Sequence, residues 1–203
     1  MARSAELYTS RQDAPVRAAL RQATHAAHAR LESTLGLTSP ALTVEEYTAS
    51  LLRYVVAYAA LERRIDVFAT PLEAVGLDWG KRRKVPLLER DLAALGSHAT
   101  PRVALPPGAV PQLETLPHVI GCLYVLEGAT LGGKVIARSL EKVLRLTADH
   151  GASFFNSYGA AVGAYWQELC AVLERSLTDV ASRSRAAEAA TATFDLFANH
   201  VAP

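Results

Sequence analysis

Apolar residues recur at spacings of three and four along most of this chain, and strict alternation is nearly absent. The pattern predicts helices throughout. A first helix spans about 15–34, with Pro15 suited to its opening turn. The stretch 38–43 is a loop, and Thr43-Val-Glu-Glu46 reads as a capping box for the next helix. That helix carries Tyr47, Leu51, Tyr54, Val55, Tyr58, Leu61 and Ile65 on one broad apolar face. A short helix fits 80–95, and the proline- and glycine-rich segment 96–111 is irregular. Further helices are predicted over 116–146, 154–177 and 181–201. The result is an all-α, single-domain bundle of six to eight helices over 15–203, behind a flexible N-terminus at 1–14.

Composition narrows the function. The chain has 203 residues and a net charge of +1. A near-neutral chain presents no strong field to nucleic acid or to anionic membrane, so neither is an expected partner. Cys122 and Cys170 are far apart and form no Cys-x-x-Cys motif, which predicts buried thiols in a reducing compartment. The N-terminal residues lack the apolar core of a signal peptide, and no apolar run reaches the ~20 residues of a membrane span. A cytoplasmic protein is expected.

The predicted helix 116–146 contains Gly128, Gly132 and Gly133. Each interior glycine costs a helix about 1 kcal/mol relative to alanine. Gly128 and Gly132 are four apart, so they share a face and leave bare backbone there. One reading is a close helix crossing or a kink; the other is a helix lying against a flat ligand.

Of the six histidines, His98, His150 and His200 fall in loops or near the end, and His118 opens a helix. His25 and His28 stand three apart on the first helix. That pair could hold a divalent metal, or one imidazole could serve as the axial ligand of a haem iron. The Glu-x-x-His motifs of dinuclear carboxylate bundles are absent.

Together these segments resemble the haem oxygenase family, in its bacterial, biliverdin-producing branch. Thr24, His28 and Glu32 match its Thr-x-x-x-His-x-x-x-Glu pattern, and Gly128, Gly132 and Gly133 its Gly-x-x-x-Gly-Gly pattern. Tyr54-Val-Val-Ala-Tyr58, Phe154-Phe-Asn-Ser-Tyr158-Gly and Trp166 agree in order and spacing. The resemblance implies oxidative cleavage of haem to biliverdin, carbon monoxide and ferrous iron. Dioxygen and an external electron donor, such as ferredoxin or a reductase, would be consumed. It implies haem b as both cofactor and substrate, and His28 as the iron ligand, with Glu32 orienting it. Gly128, Ala129, Gly132 and Gly133 would form the distal face, and Tyr58 would help deliver protons there. Ala129 stands where mammalian-type members have an aspartate. Arg21 matches a basic position facing a haem propionate, with Arg17, Lys134 and Arg138 as other candidates. Tyr158 matches a cofactor-side tyrosine, although Gly159 replaces the arginine that follows it in mammalian-type members. A haem carrier, or a non-haem helical protein on the same scaffold, is the alternative.

Overall fold

The computed structural model describes residues 15–34, 36–97 and 105–201. The expectations for 1–14 and for His98 lie outside them. Among the described residues there are seven α-helices: α1 (Pro15–Thr34), α2 (Val44–Asp66), α3 (Ala69–Ala74), α4 (Val85–Ala94), α5 (Leu116–Leu144), α6 (Val162–Ser176) and α7 (Val180–His200). α5 packs on α6 and α7, α1 packs on α6 and α7, and α2 packs on α4 and α7.

The capping box forms at the start of α2. The Thr43 hydroxyl accepts from the Glu46 amide at 3.2 Å, and Glu46 accepts from the Thr43 amide at 2.9 Å. All seven apolar positions expected on its inner face are buried. α1 has no cap of its own in the described residues. Its first amides are met from α6 instead: the Glu174 carboxylate accepts from Val16 at 3.1 Å and from Arg17 at 3.2 Å. A carboxylate at a helix N-terminus satisfies orphan donors and complements the dipole, so it fixes where α1 starts.

Three predicted helices have different limits. The 80–95 segment divides into a 3-10 turn at Gly80–Arg82 and then α4, because Pro86 sits in the first turn of α4 and starts a new helix there. The segment 154–158 is not helical. The chain there runs in successive i→i+3 turns, with the Asn156 amide on the Ser153 carbonyl at 3.2 Å and the Ser157 amide on the Phe154 carbonyl at 3.3 Å, while the buried Asp91 carboxylate ties the amides of Ser153 and Phe154 at 2.7 and 2.8 Å. Gly159, at φ +52°, then turns the chain into α6. α5 ends at Leu144, where Arg145 adopts the left-handed conformation at φ +60°.

α5 is continuous through all three glycines. It is long and apolar enough to cross a membrane by length and composition, contrary to the sequence expectation. Half of its most apolar stretch is buried inside the protein, and it carries the buried Glu127, which marks it as the core helix.

The glycine that makes the closest crossing is a fourth one, Gly121. A Cβ there would lie 2.0 Å from the Ala186 carbonyl oxygen on α7. The contact draws α5 and α7 to backbone distance.

Candidate functional site

α5 is buried on both sides of its middle, through Leu126, Glu127, Gly133 and Ala137. Between them runs an open strip: Ala129 and Gly132 are exposed, and Gly128 is partly so. A Cβ on Gly132 would meet nothing within 4 Å. A Cβ on Gly128 would meet only the Trp166 ring, at 3.7 Å, an ordinary contact. The strip therefore offers backbone and one methyl group to whatever lies against it. Val135, 43% exposed, continues it by another turn.

His28 lies on α1 with its side chain 54% exposed. Its ring meets Phe194 of α7 edge-on, with centroids 5.4 Å apart. Its Nδ1 lies 3.6 Å from the Glu32 carboxylate, one turn on, which leaves Nε2 as the nitrogen without an assigned role. Phe194 joins Ala27, Val125 and Ala190 in a small buried cluster. Tyr124 of α5 packs on the same cluster and faces Thr24 of α1, whose hydroxyl donates to the Leu20 carbonyl at 2.8 Å. His28 is one turn beyond Thr24, and Gly128 is one turn beyond Tyr124. The structure thus brings the two predicted segments to one junction of α1, α5 and α7. Arg21 lies in the same region, within electrostatic reach of Tyr124. His25 is also exposed. Among the described residues no three His, Cys, Asp or Glu side chains gather as a metal cluster, so a divalent site at His25 and His28 has no third ligand there.

Three other predicted residues sit on the buried side of α5. The Tyr58 ring is enclosed by Tyr54, Phe154 and Phe197, and desolvation holds its hydroxyl well above the usual tyrosine range. Gly133 meets backbone: its Cβ would stand 3.0 Å from the Phe155 carbonyl oxygen. The Tyr158 ring stacks on Tyr165 at 4.0 Å, and its hydroxyl donates to Glu127 Oε1 at 2.7 Å. None of the three lies on the open strip.

Tyr158 belongs to a network that the sequence reading did not find. Arg82 Nη1 donates to Glu127 Oε2 at 2.7 Å, and both side chains are closed to solvent. Arg82 Nη2 pairs with Glu168 and reaches the Tyr165 carbonyl at 3.3 Å. Lys84 Nζ donates to the Tyr158 oxygen at 2.5 Å and stands 3.6 Å from Glu127 Oε1. The Lys84 and Val85 amides donate to Glu62 at 2.6 and 3.1 Å. Lys81-Arg-Arg-Lys84 reads as a solvated charge run, which hid two buried cations. The signal available was Glu127, the one Asp, Glu, Lys or Arg in the apolar stretch 116–133.

Burial pushes the Lys84 ammonium down to about 8, only partly opposed by Glu127. Unfolded lysine binds its proton up to about pH 10.4, so between pH 8 and 10 the unfolded chain holds more protons and folding gains from rising pH. Relative to Lys84→Met, the wild-type chain is expected to gain roughly 2 kcal/mol over that interval, read from urea melts at each pH. A constant difference between the two proteins would contradict it.

A family model described as Heme oxygenase matches residues 14–202. The chain is 35% identical to a heme oxygenase of Xanthomonas campestris pv. campestris (strain 8004) over 156 residues, which cover 77% of this chain and 88% of that protein. Its fold superimposes on the heme oxygenase of Neisseria meningitidis, solved with NO and CO bound, with a TM-score of 0.73, 20% identity and 88% coverage of each chain. On the extent of the family match and the identity to a curated member, the chain belongs to the haem oxygenase family, whose activity is the degradation of haem to biliverdin.

Proposed function

We propose that this protein cleaves haem b to biliverdin, carbon monoxide and ferrous iron, with haem seated between His28 and the open strip of α5. One observation carries the reading: an accessible imidazole and a helix face without side chains flank a single junction. The residues present fit the group. A porphyrin is flat, and a Cβ at Gly132 would stand in the space it needs. The donor set offers one imidazole with a carboxylate behind it, which suits a single axial bond to iron.

When bound, haem supplies the iron at which dioxygen is reduced, and the ring that is opened. The chain supplies orientation. His28 Nε2 would hold the iron, and Glu32, 3.6 Å from Nδ1, would keep the ring turned. Gly128, Ala129 and Gly132 would let backbone approach the opposite face and restrict where a small diatomic molecule can lie. Arg21 would neutralise a propionate at the cleft edge. Tyr58, Gly133 and Tyr158 would act from beneath: Gly133 admits the Phe155 backbone, and the tyrosines brace α5. With Ala129 in place of a carboxylate, protons would come through water held by backbone groups of the strip. The chain would draw electrons from a separate ferredoxin or reductase, in a cytoplasmic setting.

Haemin titrated into the protein should give a sharp Soret band with one site per chain. Reductant and air should then replace it with the absorption of biliverdin, confirmed by chromatography. Retention of the Soret band through repeated reduction in air would overturn the reading and indicate a carrier.

A further inference from the structure

The strip gives α5 little to hold it from the cleft side, since Ala129 and Gly132 are exposed and carry one methyl group between them. Three interior glycines also make this stretch of helix easy to bend. The opposite side is held unusually firmly, at the residue directly before Gly128. Both Glu127 oxygens are occupied, one by Arg82 and one by Tyr158, with Lys84 beside them. Those partners come from the Gly80–Arg82 turn, the residue before α4 and the segment before α6, and Arg82 is itself fastened to Glu168 and the Tyr165 carbonyl of α6. A helix gripped this way cannot rotate or slide without breaking directional, charge-assisted bonds.

Stability alone does not explain the arrangement. Desolvating a carboxylate, a guanidinium and an ammonium offsets most of what their attraction returns, and apolar side chains of the same volume often stabilise as well or better. Directional bonds supply one thing that leucine does not: a unique height and pitch for the helix that carries them.

We propose that Glu127 is a positioning residue. Through Arg82, Lys84 and Tyr158 it fixes the α5 backbone at Gly128–Gly132, and so sets which edge of a bound porphyrin faces the reacting oxygen. The second half of this inference rests on the function proposed above; the first half does not.

The test uses Glu127→Gln, which keeps the shape and removes the charge, and Tyr158→Phe, which removes one bond. Hydrogen–deuterium exchange on the protein without haem should speed up severalfold in peptides spanning 124–136, with the remaining helices unchanged. In the haem-loaded variants the biliverdin isomer ratio should broaden, while haem affinity stays within about threefold of wild type. Unchanged exchange in both variants overturns the positioning role. Acceleration spread evenly over all helices also overturns it, because it marks a merely structural group. A faster 124–136 segment with an unaltered isomer ratio overturns the link to regiochemistry. Should Glu127→Gln not fold, Tyr158→Phe decides alone. Absence of haem binding by the wild-type protein defeats the proposed function and leaves the exchange result to stand.

Discussion

His28→Ala is expected to lose haem turnover by a factor on the order of 100 or more, with almost no loss of stability. The two halves of that expectation have separate causes. Stability is spared because the imidazole is more than half exposed, and α1 is held by Val16, Leu20, Thr24 and Ala27, all buried. The loss of one edge contact with Phe194 costs about 1 kcal/mol, partly offset by the better helix propensity of alanine. Turnover falls because no neighbour can replace the nitrogen. Glu32 is a turn away, and carboxylates bind haem iron poorly. His25, exposed three residues earlier, points along a different bearing of the same helix. The readouts are the Soret maximum, the haemin dissociation constant and the rate of biliverdin formation, with a thermal melt as control. His25→Ala should match wild type in all four. Added imidazole should restore the axial spectrum of His28→Ala, since the cleft left behind is open. If His25→Ala instead carries the loss, the ligand assignment is reversed.

The features legible in the sequence are those set by local periodicity. The apolar face of α2, its capping box and the run of α7 depend on neighbours within a turn or two, and all appear where the pattern puts them. Failures came where distant groups decide. The segment from Phe154 reads as the start of a helix, but Asp91, some 60 positions earlier, anchors the Ser153 and Phe154 amides and the chain runs in i→i+3 turns up to Gly159. Lys84 looks solvated until the fold lays it against Tyr158 and Glu127. The glycines show the same division. Their i, i+4 spacing predicts a bare face, and Gly128 and Gly132 do lie on one. Spacing cannot tell that face from the crossing at Gly121, or from the Phe155 contact under Gly133, because those depend on where other helices pass. The close-crossing reading therefore holds at Gly121 and Gly133, while Gly128 and Gly132 lie on an open face, the condition that the flat-ligand reading requires.

Substitution at Gly132 and at Gly121 should consequently fail in opposite ways. At Gly132 a side chain has open space, and leucine is a far better helix residue than glycine, so Gly132→Leu should be as stable as wild type or up to about 1 kcal/mol more so. The same side chain would fill the space assigned to the porphyrin, so turnover should drop at least tenfold, by roughly 1.4 kcal/mol or more. Gly121→Ala adds a single methyl group, yet that carbon would stand 2.0 Å from the Ala186 carbonyl oxygen, well inside contact. Backbone of α7 cannot swing aside as a side chain can, so the two helices must part and lose packing along their whole crossing. The gain in helix propensity of about 1 kcal/mol is outweighed, and net destabilisation of roughly 3 kcal/mol is expected, or about 10 °C in melting temperature. The Gly121→Ala protein that remains folded should still bind haemin, with a modest loss of affinity, because the crossing lies away from the strip although α7 also carries Phe194 against His28. Melting curves and haemin titrations of the two variants decide the matter together. A stable, inactive Gly132→Leu and an unstable, haem-competent Gly121→Ala separate a helix that is close to its neighbour from a helix that is open to its substrate. A Gly132→Leu protein with wild-type turnover would remove the strip from the site.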